Sequence, residues 1–297
     1  MSEEIQKNKN LKIAIMFMII STLGFSFMQI FVKLTSGAFT LMQQVFFRNF
    51  VMAVICGMYI FIKKQRGYET SFIGHTKNRK LLFFRSFFGF LGVITNFFAI
   101  NNMVIADAGI LQRTSPIFVV LMAVLIFKEK FTKEKFFTLI FAFIGAIFVV
   151  RPHFDSRLLP SIVAMLSAFS GSVAYICVSR IGRKEKTETI IFIFSLFSCI
   201  CSFPFMFSDF NLKSFELIVY LFLIGVFSAV GQFGLTISYQ YAKASDVSIF
   251  NYTGVVFVVI LGKLILDETV SPYSLIGIFI IFLVSLFSYI SEMKQRN

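Results

Sequence analysis

Two stretches of this chain repeat each other with their flanking charges reversed. Residues 107–129 read DAGILQRTSPIFVVLMAVLIFKE and residues 246–268 read DVSIFNYTGVVFVVILGKLILDE. At a shift of 139 residues, nine of the 23 positions are identical: Asp107/Asp246, Ile110/Ile249, Thr114/Thr253, Phe118/Phe257, Val119/Val258, Val120/Val259, Leu125/Leu264, Ile126/Ile265 and Glu129/Glu268. The first copy runs into Lys128, Lys130, Lys133 and Lys135. The second runs into Asp267 and Glu268, with no base nearby after Lys263. Basic flanks of membrane segments stay cytoplasmic. The two copies are therefore expected upside down relative to each other.

That argument needs a membrane, and the composition supplies one. The chain is 57% hydrophobic and 14% charged, with a mean hydropathy of +0.83, where a soluble domain carries about 25% charge. The apolar residues gather into runs of roughly 20, enough to cross a ~30 Å hydrocarbon core. Ten spans are predicted: 11–33, 41–62, 81–104, 107–127, 134–150, 159–179, 187–205, 216–241, 246–266 and 271–290. With 43 Phe and no Trp, much of the lipid-facing bulk must be Phe. Lys7, Lys9 and Lys12 precede an apolar stretch long enough to span, which reads as a retained first helix rather than a signal peptide.

The net charge of +13 does not point to nucleic acid, because the bases lie in short loops between apolar runs. With the N-terminus inside, 20 Lys and Arg fall in cytoplasmic segments and 4 in external ones, which places both termini in the cytoplasm. Five spans per half is an odd number, so a duplicated half inserts inverted. The predicted fold is an all-α integral membrane protein. Its ten transmembrane helices form two inverted five-helix repeats, 11–150 and 158–290. A weaker repeat at an offset of 146 links the first helices of the halves: Ser21/Ser167, Ser26/Ser172, Ile30/Ile176 and Val32/Val178. Inverted repeats of this kind are a transporter architecture. Cys56, Cys177, Cys199 and Cys201 all lie in apolar runs and read as small packing residues.

The two copies, each with an opening acid, a Thr-Ser-Pro or Thr-Gly turn, a Val/Phe-rich centre and a closing Glu, resemble the drug/metabolite transporter superfamily. The likeness is to its ten-helix EamA-type members. The stretch RSFFGFLG, Arg85 to Gly92, is similar to that family as well. The resemblance covers nearly the whole chain. It implies a central cavity lined by the first, third, fourth, sixth, eighth and ninth helices, with the fifth and tenth peripheral. It implies transport but no particular substrate, since one scaffold of this kind serves many cargoes.

All 15 acidic residues fall at termini, in loops or at helix ends. An exporter of cationic drugs needs a buried carboxylate to neutralise its cargo, so organic cations are disfavoured. Asp107 and Asp246 are expected to cap the helices that follow them. Arg113 lies six residues into the fourth span, roughly 9 Å from its start. At that depth it must face a wet cavity or a partner. It stands ahead of Pro116, which has no N–H and leaves the Gln112 carbonyl without a helical partner. Broken helices with freed polar groups mark transporter sites. Arg113 therefore either holds a substrate carboxylate or phosphate, or pairs structurally with another helix. Arg85 is expected to snorkel to the cytoplasmic interface. Arg48 reads as structural, and Lys263 as an ion pair with Asp267.

The inverted partner of Gln112–Ser115 is Asn251-Tyr252-Thr253-Gly254, which puts two polar patches on opposite sides of the midplane. The expected substrate-binding set is Arg113, Gln112, Thr114, Asn251, Tyr252, Gln29, Asn96, Gln232 and Tyr239. Small residues on the eighth span (Gly225, Ser228, Gly231, Gly234) and the sixth (Ser167, Ser170, Gly171, Ser172) let helices approach closely. His75 and His153 lie in loops, and there is no metalloprotease, phosphate-loop or nucleophile-elbow motif. No catalytic residue, metal or cofactor is expected. The expected function is secondary transport, by alternating access, of a small anionic, zwitterionic or neutral metabolite, an amino acid or related compound by default. A lipid-modifying membrane enzyme and a non-transporting receptor or scaffold are the alternatives. Expected partners are the small-molecule substrate and membrane lipid, with room for a homodimer and none for nucleic acid. Compact loops point to a bacterial plasma membrane.

Overall fold

The structure, a computed structural model, describes residues 2–102, 111–112, 114–128, 132–150, 158–207, 214–266 and 272–294. They are helical almost throughout. In chain order the helices are α1 Ser2–Thr35, α2 Leu41–Gln65, α3 Arg79–Asn102, α4 Ser115–Phe127, α5 Lys133–Val150, α6 Leu158–Ile181, α7 Thr187–Met206 and α8 Phe215–Tyr241. A one-turn helix, Ala244–Val247, and a 3-10 stretch, Ser248–Tyr252, lead into α9 Thr253–Leu266, and α10 is Pro272–Lys294. Among the described residues, seven stretches are long and apolar enough to cross a membrane: Asn8–Thr35, Leu41–Gln65, Thr76–Asn102, Leu158–Lys184, Thr187–Met206, Phe215–Tyr241 and Ala244–Ile265. Ser115–Phe127 and Leu275–Ser291 are shorter apolar helices.

Local chemistry sets the helix ends. Thr40 starts α2 through a capping box: its hydroxyl accepts from the Gln43 N–H and its own N–H donates to Gln43 Oε1, so two otherwise free donors are satisfied. Gly67 follows the end of α2 and Gly182 the end of α6, both at positive φ, the conformation that glycine adopts without a Cβ penalty. The outer surface is apolar. Phe83, Phe84, Phe203, Phe279 and Phe282 are among the exposed large residues, a coat that lipid solvates and water does not.

The closest helix seams are lined by small and hydroxylic side chains. α1 packs along α8, α3 along α6, α2 along α7 and α5 along α10, with α1 also touching α9 and α4 touching α6. The two longest contacts use glycine. A Cβ on Gly24 would lie 2.8 Å from the backbone nitrogen of Gly231, and one on Gly92 would lie 3.2 Å from that of Gly171. Serine hydroxyls bridge both seams. Ser21 donates to the Gly231 carbonyl (2.7 Å) and Ser167 to the Gly92 carbonyl (2.8 Å). Ser26 donates to Gly254 O (3.1 Å) and Ser172 to Ser115 O (3.0 Å). The Thr114 and Thr253 hydroxyls both donate to carbonyls three residues back, Leu111 and Phe250, at 2.7 Å. The four cysteines are free, and Cys56, Cys177 and Cys199 are buried.

Pro116 stands in the first turn of α4, where its missing N–H costs nothing; Leu111 and Gln112 ahead of it are helical too, with a turn at Thr114. Two expectations need correction. The ninth span is not regular from 246, because its first turns are the short helix and the 3-10 stretch. Asp246 lies inside that one-turn helix rather than capping it. It is buried and accepts from Lys135 Nζ at 2.6 Å. Asp107, Arg113, Glu129, Asp267 and Glu268 lie outside the described residues, and with them the partner expected for Lys263.

One end of the bundle is bound together by polar contacts. Lys63 Nζ meets Glu188 Oε1 at 2.9 Å. The Glu185 carboxylate accepts from the His75 N–H and from Asn78 Nδ2, at 2.8 and 2.7 Å. Gln240 Nε2 donates to the carbonyls of Gly182 and Glu185. The basic 63–80 loop is thereby stitched to the turn between α6 and α7 and to the end of α8.

Candidate functional site

A cavity of about 110 Å³, the space that water centres can occupy, opens between the helices. One water needs roughly 10–15 Å³ by that measure, so the space takes several waters or a polar part of a small molecule. α1, α3, α4, α6, α8 and the lead into α9 all contribute to its wall, as the family resemblance implies, and α5 and α10 do not. Two further helices also contribute: α2 through Arg48 and α7 through Phe194.

Of the expected site residues, Gln29, Asn96, Gln112, Gln232 and Asn251 line this cavity. Gln112 Oε1 accepts from the Ser167 hydroxyl at 3.0 Å, which fixes its amide against α6. Thr114, Tyr239 and Tyr252 are absent from the wall. Thr114 spends its hydroxyl on the Leu111 carbonyl. Tyr239 is buried and stacks on the lining Tyr175, with ring centroids 5.5 Å apart. Tyr252 is fully buried in the apolar core with Val247 and Phe250. Arg113 lies outside the described residues.

The arginines overturn the sequence-based expectation. Arg85 does not snorkel: it is 1% exposed and turned into the cavity. Its Nη2 donates to Gln232 Oε1 at 2.8 Å, and its Cζ lies 4.2 Å from the Phe194 ring centroid. Gly89, one turn on, makes this path. A Cβ there would collide with Arg85 Nη1 and with the Phe194 ring, so the long side chain runs over a bare stretch of its own helix. Arg48, 2% exposed, approaches the same ring with Cζ at 5.8 Å and donates to Asn49 Oδ1 at 3.1 Å. Both also neighbour Tyr175 electrostatically. The Nε atoms of both arginines are buried without a hydrogen-bond partner. Sequence reasoning missed Arg48, Arg85, Tyr175 and Phe194 as cavity residues. The usable signal was the glycine four residues after Arg85 in RSFFGFLG, on the same helix face.

The cavity is polar at two levels. Arg85 and Asn96 both line it from α3, and eleven residues of helix between them rise about 16 Å. One level holds the two guanidiniums. Gln29, six residues before the end of α1, and Asn96, six before the end of α3, mark the other. Phe25, Met28, Val93, Phe97 and Leu235 supply apolar wall. Among the described residues, no acidic side chain lines it and no group of His, Cys, Asp or Glu is placed to hold a metal.

Membrane-length helices around a cavity with polar groups set in an apolar wall are an arrangement that membrane solute carriers use. The chain belongs to the EamA-like transporter family of the drug/metabolite transporter superfamily, and the family's model matches it twice, over residues 12–151 and 158–290. The pseudopaline exporter CntI of Pseudomonas aeruginosa is 28% identical over 272 residues, which are 90% of this chain and 92% of that one. Solute carrier family 35 member G1 of Mus musculus is 27% identical over 82% of this chain and 69% of its own. A riboflavin transporter of Brucella anthropi is 28% identical over 52% of this chain and 56% of its own. A solved crystal structure superposes with a TM-score of 0.76 over 93% of this chain and 96% of that chain, at 15% identity, which is likeness of fold. The protein is a multi-pass membrane transporter.

Proposed function

We propose that this transporter is a ten-span secondary carrier with both termini cytoplasmic, in which two inverted five-helix halves, 11–150 and 158–290, rock about a shared cavity and expose it alternately to the two sides. The cargo is a small metabolite with charged or hydrogen-bonding ends. The observation that carries this reading is the polar cavity, walled by helices from both halves. The symmetry has its own support. Exchanging each helix for the one five places on turns the α1–α8 pairing into α6–α3 and the α1–α9 pairing into α6–α4, while α2–α7 and α5–α10 map onto themselves. The paired serine and threonine bonds recur at the offsets read from the sequence, 146 for Ser21/Ser167 and Ser26/Ser172, and 139 for Thr114/Thr253. The basic loops keep one side of the membrane throughout.

Relatives named for different cargoes, pseudopaline and riboflavin, leave the cargo to be read from this chain's own cavity wall. Gln29, Asn96, Gln112, Gln232 and Asn251 are its substrate-contacting amides in this reading. Tyr239, Tyr252 and Thr114 hold their positions from behind, and Arg113 joins the site from the break before α4. Purified chain in proteoliposomes is expected to exchange labelled members of a mixed metabolite pool, and Asn96→Leu with Gln112→Leu to cut that flux at least tenfold. The absence of flux for every member of the pool, with correctly inserted protein, would refute the carrier reading and favour a receptor or scaffold.

A further inference from the structure

Two guanidiniums enter this cavity, and among the described residues no carboxylate lines it. An arginine held inside a membrane bundle is costly unless it is paired or functional, and removing a charge from water without a counter-charge is costlier still. The side chains that bond to them or stack on them are neutral. Gln232 and Asn49 offer amide oxygens, Phe194 offers a ring face, and Tyr175 lines the same cavity. The acids of the nearby elements are used elsewhere: Glu188 on Lys63, Glu185 on the 75–78 backbone and amide, Asp246 on Lys135. The two ring distances, 4.2 and 5.8 Å, bound the separation of the two Cζ atoms at about 10 Å. Both Nε atoms remain without partners.

We propose that Arg48 and Arg85 form an oxyanion clamp over the Phe194 ring, and that the transported molecule is a small organic anion whose carboxylate or phosphate supplies the missing negative charge. Charge-assisted bonds to guanidinium nitrogens are the strong kind, and a two-oxygen anion matches the planar fork. The ring face holds the cations in register when the site is empty. Gly89 keeps the Arg85 lane open. The level carrying Gln29 and Asn96 then takes the uncharged polar end of the cargo. The clamp rests on the carrier reading for the word cargo. As a binding site it stands on its own geometry.

The test is binding to the detergent-purified full chain at fixed ionic strength, read as ligand-dependent thermal stabilisation. The probes are charged and uncharged pairs: succinate against the isosteric succinamide, benzoate against the isosteric benzamide, and glycerol 3-phosphate against its parent alcohol glycerol. At least one anion is expected to bind tenfold or more tightly than its uncharged partner, the pair identifying carboxylate or phosphate as the favoured head. Arg48→Gln and Arg85→Gln are expected to erase that preference. Arg85→Lys should keep the preference for charge while losing several-fold in affinity, since lysine keeps the charge but not the fork. That variant carries the test where a Gln variant does not fold. Equal binding of anions and amides, no binding of any of the three anions, or Gln variants with the wild-type preference would each overturn the clamp. Anion binding without flux in proteoliposomes would leave the clamp standing and remove the carrier. Flux of an uncharged metabolite without anion preference would do the reverse.

Discussion

Replacing Gly24 by valine is expected to destabilise the bundle by about 3 kcal/mol, the upper part of the range for overpacking a filled interior. The reason is what the new atoms meet. A Cβ at 24 lies 2.8 Å from the Gly231 nitrogen, 3.0 Å from the Phe227 carbonyl oxygen and 3.2 Å from the Gly231 Cα. All three are backbone, so no side chain can step aside. α1 and α8 must separate, and the Ser21 bond to Gly231 O goes with them. The α6 glycine on the other seam behaves differently. A Cβ at Gly171 meets only the Tyr175 ring, at 3.8 Å, and Gly171 lines the cavity. Gly171→Ala should therefore cost nothing in stability and even gain a few tenths of a kcal/mol from helix propensity, while narrowing the cargo space. Chemical unfolding in detergent, run beside the flux assay, checks both. Equal destabilisation by Gly24→Ala and Gly171→Ala would show that the seams are not packed as described.

Removal of the Asp246 charge is the second large effect. Asp246 is buried and holds Lys135 Nζ at 2.6 Å, while Ser245 bonds to both. Asp246→Asn removes the carboxylate charge that faces an ammonium whose side chain is 16% exposed. Breaking a fully buried pair costs about 3–5 kcal/mol, and the partial exposure of the lysine brings the expectation down to about 2 kcal/mol. The exchange Lys135→Asp with Asp246→Lys is expected to recover at least half of the loss. A double-mutant cycle with no coupling would show that the pair contributes packing alone.

The seams of this fold were legible in the letters, but the direction of its charges was not. The offset of 146 names the hydroxyls that bridge α1 to α8 and α3 to α6, Ser21 and Ser167, because a seam narrow enough for glycine admits only small residues and rewards the same bond twice. Helix spans follow from apolar runs for the same reason. Arg85 was misjudged because snorkelling and cavity-pointing arginines stand at the same depth. What separates them is the rotation of α3, the free lane over Gly89 and the aromatic floor that Phe194 brings from a helix more than a hundred residues away. Asp246 was misjudged because a cap and a buried ion pair ask for the same residue at a helix start. Only the fold brings Lys135 to it. Gln112 and Asn251, which line the cavity, lie where the two copies differ, two residues before a threonine that they share.

The pairing of helices has a consequence for how the chain is made. α1 lies on α8, α2 on α7, α3 on α6 and α5 on α10. A ribosome that has released the first five helices has thus delivered five pieces whose main neighbours are still unwritten. Each is kept in the bilayer by its apolar coat alone, as an independent helix awaiting assembly. The arrival of the later helices is then the folding event itself. The early ones are recruited onto them in nearly reversed order, α3 before α2 and α1. A chain truncated after α5 therefore lacks the helices that its members pack along most extensively. The two parts made as separate polypeptides carry all the surfaces needed to find each other.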